Sequence, residues 1–404
     1  MMKKMNFLKV SAIALSMFMV SSCSEDNVFF NVCDEDVAGS SNTSMLLTRS
    51  SFSGITSLDI DTDVNADGVL VVPADAHYMI YSRSNKPTDH RIVIEDGGMV
   101  TLAGVNITAI PRDNYNNFSG ITCEGNARIY LADNTENKIK GGGSGSAGIE
   151  AGPEETTLTI KGTTGKLEAF GEDGAAIGSK CGFDCGNIVI EGGIIIAKTE
   201  GDGAAIGSGK NGHAENITVL GSKITADCRD YGAGIGSGYE GSCRDILISE
   251  GTIESIGEDN GAGIGSGFNG SCGKIDISGS TVTARCDYNG AGIGSGFYGT
   301  CDVITIDNSM VTSHSVYAAG IGTGGYGKNQ DIIINSGTII ASSDECGAAI
   351  GSAPQGYCYA ITIKSAVTSV TATKGDSSPN SIGAGYEGLS CHVYIEDPSK
   401  VTMK

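Results

Sequence analysis

Two rows of side chains recur beside a glycine-rich motif and could bind a ligand. Aspartates and tyrosines come just before the motif, and aromatic residues come just after it. Aromatic rings stack on the apolar faces of sugars, and carboxylates accept hydrogen bonds from hydroxyl groups. This combination predicts carbohydrate binding, with the candidate residues Tyr231, Tyr239, Asp259, Phe268, Tyr288, Phe297, Tyr298, Tyr317 and Tyr326.

The motif between the two rows reads Gly-Ala-Gly-Ile-Gly-Ser-Gly at residues 261–267. In an extended strand Ala262, Ile264 and Ser266 would face the core, so the outer face would carry only glycine. We therefore expect a groove floored by glycine, which suits an extended polar polymer. Three alternatives remain open: glycine meets a need for positive φ, the glycine strip packs against the N-terminal segment, or the stacked rings stabilise the fold without any ligand. Calcium is an alternative occupant of the acidic row, although no Asp-x-Asp-x-Asp-Gly loop supports it; otherwise we expect no metal or cofactor.

The elements that position these rows come from a repeat of about 29 residues. Its isoleucines are Ile177, Ile206, Ile235, Ile264, Ile293, Ile321, Ile350 and Ile382, with degenerate copies at Ile121 and Ile149. Each turn also holds Ile-x-Ile and Ile/Val-Thr runs with an apolar residue at every second position, which is typical of strands. Three short strands per turn leave no room for a helix, so the pattern predicts an all-β parallel solenoid from 121 to 404.

The N-terminal segments have other roles. Residues 1–22 combine a basic start with an 11-residue apolar stretch, which predicts a secretory signal peptide. The following Val20-Ser21-Ser22-Cys23 resembles a bacterial lipobox, which implies a lipoprotein signal peptide with Cys23 as the acylated residue. An ordinary cleaved signal is the alternative. Residues 23–50 are expected to form a flexible tether, and 51–120 irregular N-terminal turns that cap the solenoid. An acidic run directly after Cys23 resembles a surface-export signal, so we expect an outer-membrane protein exposed on the cell surface.

Charge narrows the choice of partners. Removal of residues 1–22 removes three lysines and takes the net charge from −21 to −24. Such an acidic chain is not suited to bind nucleic acid or anionic lipid. Contact with the membrane is therefore expected only through the lipid anchor, and the chain is expected to be a monomer.

The cysteines form rows as well. Cys185, Cys243, Cys272, Cys301 and Cys358 each lie eight residues after a motif isoleucine. At a repeated inward position, cysteine behaves as a small apolar residue, so we expect buried thiols. Disulfides between neighbouring turns are an alternative with tight geometry.

The glycine motif followed by Ile-x-Ile and Thr-Ile/Val strands resembles bacterial surface proteins of the pectate-lyase-like superfamily, which include adhesin-like and carbohydrate-binding members. The resemblance implies a single-stranded, right-handed parallel β-helix, and right-handed crossovers are also the general preference. Because the superfamily contains lyases and hydrolases, it also implies candidate catalytic residues: Asp230, Asp259, Asp287, Arg229 and Arg285. These acids recur at repeat positions, whereas catalytic sites usually interrupt a repeat.

Three functions follow from these features. The first is a surface-anchored, non-catalytic β-helix that binds a polysaccharide or host glycan. The second is a polysaccharide lyase or glycoside hydrolase. The third is a structural or adhesin protein that binds a protein partner.

Overall fold

The computed structural model describes residues 55–84, 86–110, 118–389 and 391–404. The expected signal peptide, Cys23 and the tether lie outside these ranges. The described chain contains strands, turns and one short 3₁₀ helix at Pro398–Lys400, whose cap residue Asp397 accepts a hydrogen bond from the Ser399 N–H. Among the described residues no helix has the length and apolar character needed to cross a membrane.

The first turns differ from the repeat that follows. They contain β1 (Thr56–Asp59), β2 (Val69–Val72), β3 (His77–Tyr81), β4 (Arg91–Ile94), β5 (Met99–Ala103), β6 (Asn106–Thr108), β7 (Ile121–Cys123), β8 (Ala127–Leu131) and β9 (Glu136–Lys140). Four-residue strands, β2 and β4, lie here at the position that the glycine motif occupies later.

The regular turns contain the remaining strands, two of which are long. They are β10 (Ile149–Glu150), β11 (Thr157–Gly171), β12 (Ile177–Gly178), β13 (Asn187–Thr199), β14 (Ile206–Gly207), β15 (His213–Ala214), β16 (Ile217–Leu220), β17 (Lys223–Cys228), β18 (Ile235–Gly236), β19 (Ser242–Cys243), β20 (Ile246–Ser249), β21 (Thr252–Gly257), β22 (Ile264–Gly265), β23 (Ser271–Cys272), β24 (Ile275–Ser278), β25 (Thr281–Cys286), β26 (Ile293–Gly294), β27 (Thr300–Asp307), β28 (Ser309–Ser315), β29 (Ile321–Gly322), β30 (Lys328–Ile334), β31 (Gly337–Ser343), β32 (Ile350–Gly351), β33 (Tyr357–Ile363), β34 (Val367–Thr373), β35 (Ile382–Gly383), β36 (His392–Ile395) and β37 (Val401–Met403).

These strands pair in parallel with the equivalent strands of the next turn and form two sheets. The motif strands make a 12-stranded sheet and the remaining strands a 25-stranded sheet. The motif isoleucines are register partners from Ile121 through Ile149 and on to Ile382. The row begins one turn earlier than predicted, because Ile92 pairs with Ile121. The predicted all-β parallel solenoid is confirmed, with about ten turns of about 29 residues.

The core of the solenoid is built from stacked side chains. Ile275 pairs with Ile246 on one side and with Ile304 on the other, and all three are buried. Burial of each isoleucine contributes about 1.5–3 kcal/mol, which offsets the ordering entropy of a glycine-rich chain. The predicted three strands per turn are present from Ile293 onward, while in the turns that begin at Ile206, Ile235 and Ile264 the second strand is split in two.

The eleven described cysteines carry no disulfide, and the predicted row of thiols is present. Cys243 pairs with Cys272 and Cys272 with Cys301 in adjacent strands, and all three are buried. The row continues to a buried Asn329, whose side-chain oxygen and nitrogen have no hydrogen-bond partner among the described residues.

Candidate functional site

The glycine motif folds back on itself around the two-residue strand Ile264–Gly265 and is not extended over its whole length. In the turn around Ile264, the Ala262 N–H donates a hydrogen bond to the Ser266 carbonyl at 3.0 Å. Gly265 has φ +137, a conformation that is essentially restricted to glycine. The two arms of the motif therefore lie side by side, and all seven residues from 261 to 267 are buried.

The glycines are needed because adjacent turns approach one another very closely. A Cβ on Gly261 would lie 1.9 Å from the Gly232 carbonyl oxygen, and a Cβ on Gly265 would lie 1.8 Å from that of Gly294. Ala262, Ile264 and Ser266 are fully buried, as expected. The expected exposed glycine floor is wrong, since the missing side chains would point along the stack into neighbouring backbone and not outward.

This fold-back of the motif brings the two predicted rows together. The Phe268 N–H, just after one motif, donates to the carbonyl of Tyr231, just before the motif of the preceding turn, at 2.8 Å. The same bond joins Phe297 to Asn260 and Tyr239 to Asp202, each at 2.8 Å. The rows that were expected to edge a groove therefore meet as one continuous surface.

We call this surface the aromatic face, and it consists of Tyr231, Tyr239, Phe268, Tyr288, Phe297, Tyr298, Tyr317 and Tyr326. At one end Tyr239 and Phe268 stack with parallel planes and centroids 5.3 Å apart, and Tyr231 contacts both edge-on. Six rings form one connected cluster, which continues through Phe297 to Tyr298 and Tyr326. The remaining two candidates, Tyr288 and Tyr317, form a separate pair of contacting rings.

Four tyrosines of the aromatic face are well exposed. Tyr298 is 48 % exposed and Tyr326 is 41 % exposed, and their rings stack 4.9 Å apart. Tyr288 is 46 % exposed and contacts Tyr317 edge-on at 5.0 Å. This end of the surface thus offers ring area that the protein itself does not cover.

Carboxylates gather at the other end, beside Tyr231 and Tyr239. Asp230 is half-buried, and its pKa is raised by burial and by the negative charges of Asp202, Asp259 and Asp173. Lys210 opposes this effect, because its Nζ lies 2.6 Å from Asp202 Oδ2. Lys210 was not identified from the sequence, although it occupies the same repeat position as Tyr239 and Phe268.

The candidate catalytic residues divide into two groups. Asp230 and Asp259 belong to the carboxylate group described above. Arg229, Arg285 and Asp287 instead surround Glu258, whose pKa is raised by burial and by Asp227 and lowered by the arginines. The sequence analysis missed Glu258, which shares its repeat position with Arg229 and Asp287.

Both arginines already have acidic partners. Arg285 donates to the two oxygens of Asp287 at 2.6 and 2.8 Å, and Arg229 lies 3.7 Å from Glu200. In the described part of the chain, no group of three or more His, Cys, Asp or Glu side chains is placed to hold a metal ion.

The stacked turns define a parallel β-solenoid, and the aromatic face lies on its described turns. The family model described as beta helix repeat matches residues 188–210, 217–239, 246–268, 275–297 and 332–357. Each match begins at or next to an Ile-x-Ile strand, so these turns are similar to beta helix repeats in sequence as well as in fold. No curated protein matches the chain, and no solved structure matches it.

Proposed function

We propose that this protein is a non-catalytic carbohydrate-binding β-solenoid that holds a glycan on its aromatic face. The observation that carries the proposal is the backbone of two exposed tyrosines. Tyr298 has φ 57 and Tyr326 has φ 56, in the left-handed region that bulky residues rarely adopt. Such a conformation costs on the order of 1–3 kcal/mol and is concentrated at functional sites.

The turn itself does not require tyrosine at this position. Equivalent positions in other turns have the same positive φ and hold Asn211, Glu240, Asn269, Gln355 and Glu387. Asparagine adopts this conformation far more readily than tyrosine does. The two tyrosines are therefore strained where a polar residue would serve the fold, which supports a role in binding.

The geometry of the surface suits a polymer of sugars. Each turn adds one layer at strand spacing, about 4.8 Å, so equivalent rings recur along the stack. The rings provide apolar area for sugar C–H faces, and the carboxylates beside them provide hydrogen-bond acceptors for hydroxyl groups. A glycan lying along the stacking direction would contact several turns at once, so that weak contacts add together.

Attachment to the outer membrane through an acylated Cys23 forms part of the same proposal. The apolar segment before Cys23 and the acidic run after it support this attachment. A tether would then hold the solenoid away from the membrane, where the aromatic face could meet extracellular polysaccharide.

A glycan and polysaccharide array, read for both retention and released sugar, tests the proposal on the purified full-length chain. We expect retention without release. Tyr298→Ala combined with Tyr326→Ala should lower retention about 5- to 150-fold, since each lost stacking contact is worth about 0.5–1.5 kcal/mol. Tyr359→Ala is the matched control, because Tyr359 is 50 % exposed but lies on β33, away from the aromatic face.

Each result has a definite meaning. Release of unsaturated or reducing sugar would replace the proposal with an enzyme. Absence of retention across the array would refute carbohydrate binding and favour a protein partner. Equal losses in the Tyr359 control would show that the aromatic face is not the binding surface.

A further inference from the structure

The charge of the aromatic face points to a particular class of glycan. Near Tyr231 and Tyr239 the carboxylates of Asp173, Asp202 and Asp230, with Asp259, lie close enough to influence one another. Lys210 is the cation that lowers the pKa of Asp230 and so opposes the effect of these carboxylates. The surface therefore combines aromatic rings with an excess of negative charge.

Lys210 shows how this surface accommodates an ammonium group. Its Nζ lies 2.6 Å from Asp202 Oδ2 and 5.2 Å from the centroid of the Tyr239 ring. An ammonium ion is attracted both to the carboxylate and to the face of the ring. In the next two turns Tyr239 and Phe268 stand at the repeat position of Lys210, so rings continue along the stack while the cation does not.

The carboxylates in these turns can still accept hydrogen bonds or pair with a cation. No ion pair or side-chain hydrogen bond satisfies the carboxylate of Asp230 or Asp259 within the described ranges. Asp202 is only 9 % exposed, and its Oδ1 is buried with no hydrogen-bond partner among the described residues. A buried acceptor without a partner is rare, and the negative charge of Asp202 is compensated only at Oδ2, by Lys210.

The two arginines in these turns already lie beside carboxylates. Arg285 is bound to both oxygens of Asp287, and Arg229 lies beside Glu200. A polymer of uronic acids or sulfated sugars would therefore meet more carboxylates than cations in this part of the described chain.

From the rings, the unused carboxylates and the Lys210 arrangement, we infer that the glycan bound by the aromatic face carries free amino groups, as glucosamine polymers do. This inference rests on the proposed carbohydrate-binding function. The ammonium groups of such a polymer would contact Asp230 and Asp259, while its ring faces pack against Tyr231, Tyr239 and Phe268.

The test compares a glucosamine polymer, its N-acetylated form and its carboxymethylated form on the full-length chain. Binding is measured at a mildly acidic pH that protonates the amines, at low and at high salt. We expect the amino form to bind most tightly and the carboxymethylated form least, with the difference reduced by salt. Asp230→Asn and Asp259→Asn should each weaken binding of the amino form about three- to fivefold, in the range of an exposed ion pair.

A control must distinguish binding at this site from general attraction of a cationic polymer to an acidic protein. Asp276→Asn removes the same charge from β24, outside the aromatic face, and should leave binding unchanged. Equal weakening by Asp276→Asn would overturn the inference. So would tighter binding of the carboxymethylated form or of an acidic array glycan, although carbohydrate binding itself would then stand. Binding of polylysine through Asp230 and Asp259, with no glycan retained anywhere on the array, would refute both proposals.

Discussion

Alanine substitution of Gly265 tests the close approach of adjacent turns. The new Cβ would lie 1.8 Å from the Gly294 carbonyl oxygen, which already accepts the Ser266 N–H at 3.1 Å. The oxygen must move by more than 1 Å, roughly, to reach van der Waals contact, and this breaks ladder hydrogen bonds worth about 1 kcal/mol each. With an added backbone penalty of about 1–3 kcal/mol at φ +137, we expect Gly265→Ala to lower the free energy of unfolding by about 4 kcal/mol.

Gly221→Ala is the matched control, since Gly221 also has positive φ, at +58, but has no heavy atom within 4 Å of an added Cβ. Its cost should be about 1–2 kcal/mol, from the backbone alone. Solenoids open locally, so amide hydrogen exchange of the turns on either side is the suitable assay. A difference of about 3 kcal/mol corresponds to exchange about 100-fold faster in Gly265→Ala than in the control. Equal exchange in the two variants would refute the argument that backbone contact between turns selects glycine.

Three further outcomes are expected. Tyr298→Asn should leave the free energy of unfolding, measured by urea titration, within about 1 kcal/mol of the parent, because relief of backbone strain offsets lost stacking, while glycan retention falls. A large loss of stability would show that the ring serves the fold. Ser266→Ala should lower the free energy of unfolding by about 1–3 kcal/mol, because the buried hydroxyl accepts a hydrogen bond from a backbone N–H of the next turn at 3.0 Å. The control Ser278→Ala, at a half-buried position, should cost less than about 1 kcal/mol. Equal costs would contradict the role of the Ser266 hydroxyl. Alkylation below pH 9 should modify Cys391 before Cys272, because the reactive thiolate forms first at Cys391. A hydrogen bond from a neighbouring thiol lowers the pKa of Cys391, whereas hydrogen bonds with its row neighbours and burial raise the pKa of Cys272. Mass spectrometry that finds the reverse order of modification would refute this prediction.

The stacking direction could be predicted well from the sequence. A period of 29 residues places equivalent residues one layer apart, so Ile264 was expected to meet Ile293, and it does. The Cys243–Cys272–Cys301 row followed from the same reasoning. Ile92 was missed because no glycine motif surrounds it, although its spacing of 29 residues from Ile121 was a usable signal.

The conformation within each turn could not be predicted in the same way. The rule that alternate residues face opposite sides holds only for an extended strand, and Gly265 ends that extension with a positive φ. The bond from the Phe268 N–H to Tyr231 joins residues 37 positions apart, and no periodicity in the chain indicates it.

Repetition along the chain therefore determined the parallel layers, the buried isoleucine rows and the recurrence of rings and carboxylates, because translation by one turn preserves every position. Only the tertiary structure decided that the glycines lie inside, that the two rows meet in one aromatic face, and that Lys210 places its ammonium between Asp202 and the Tyr239 ring. Those outcomes depend on how tightly the backbone closes within a turn. That closure is set by steric contact between layers, which residue spacing does not record.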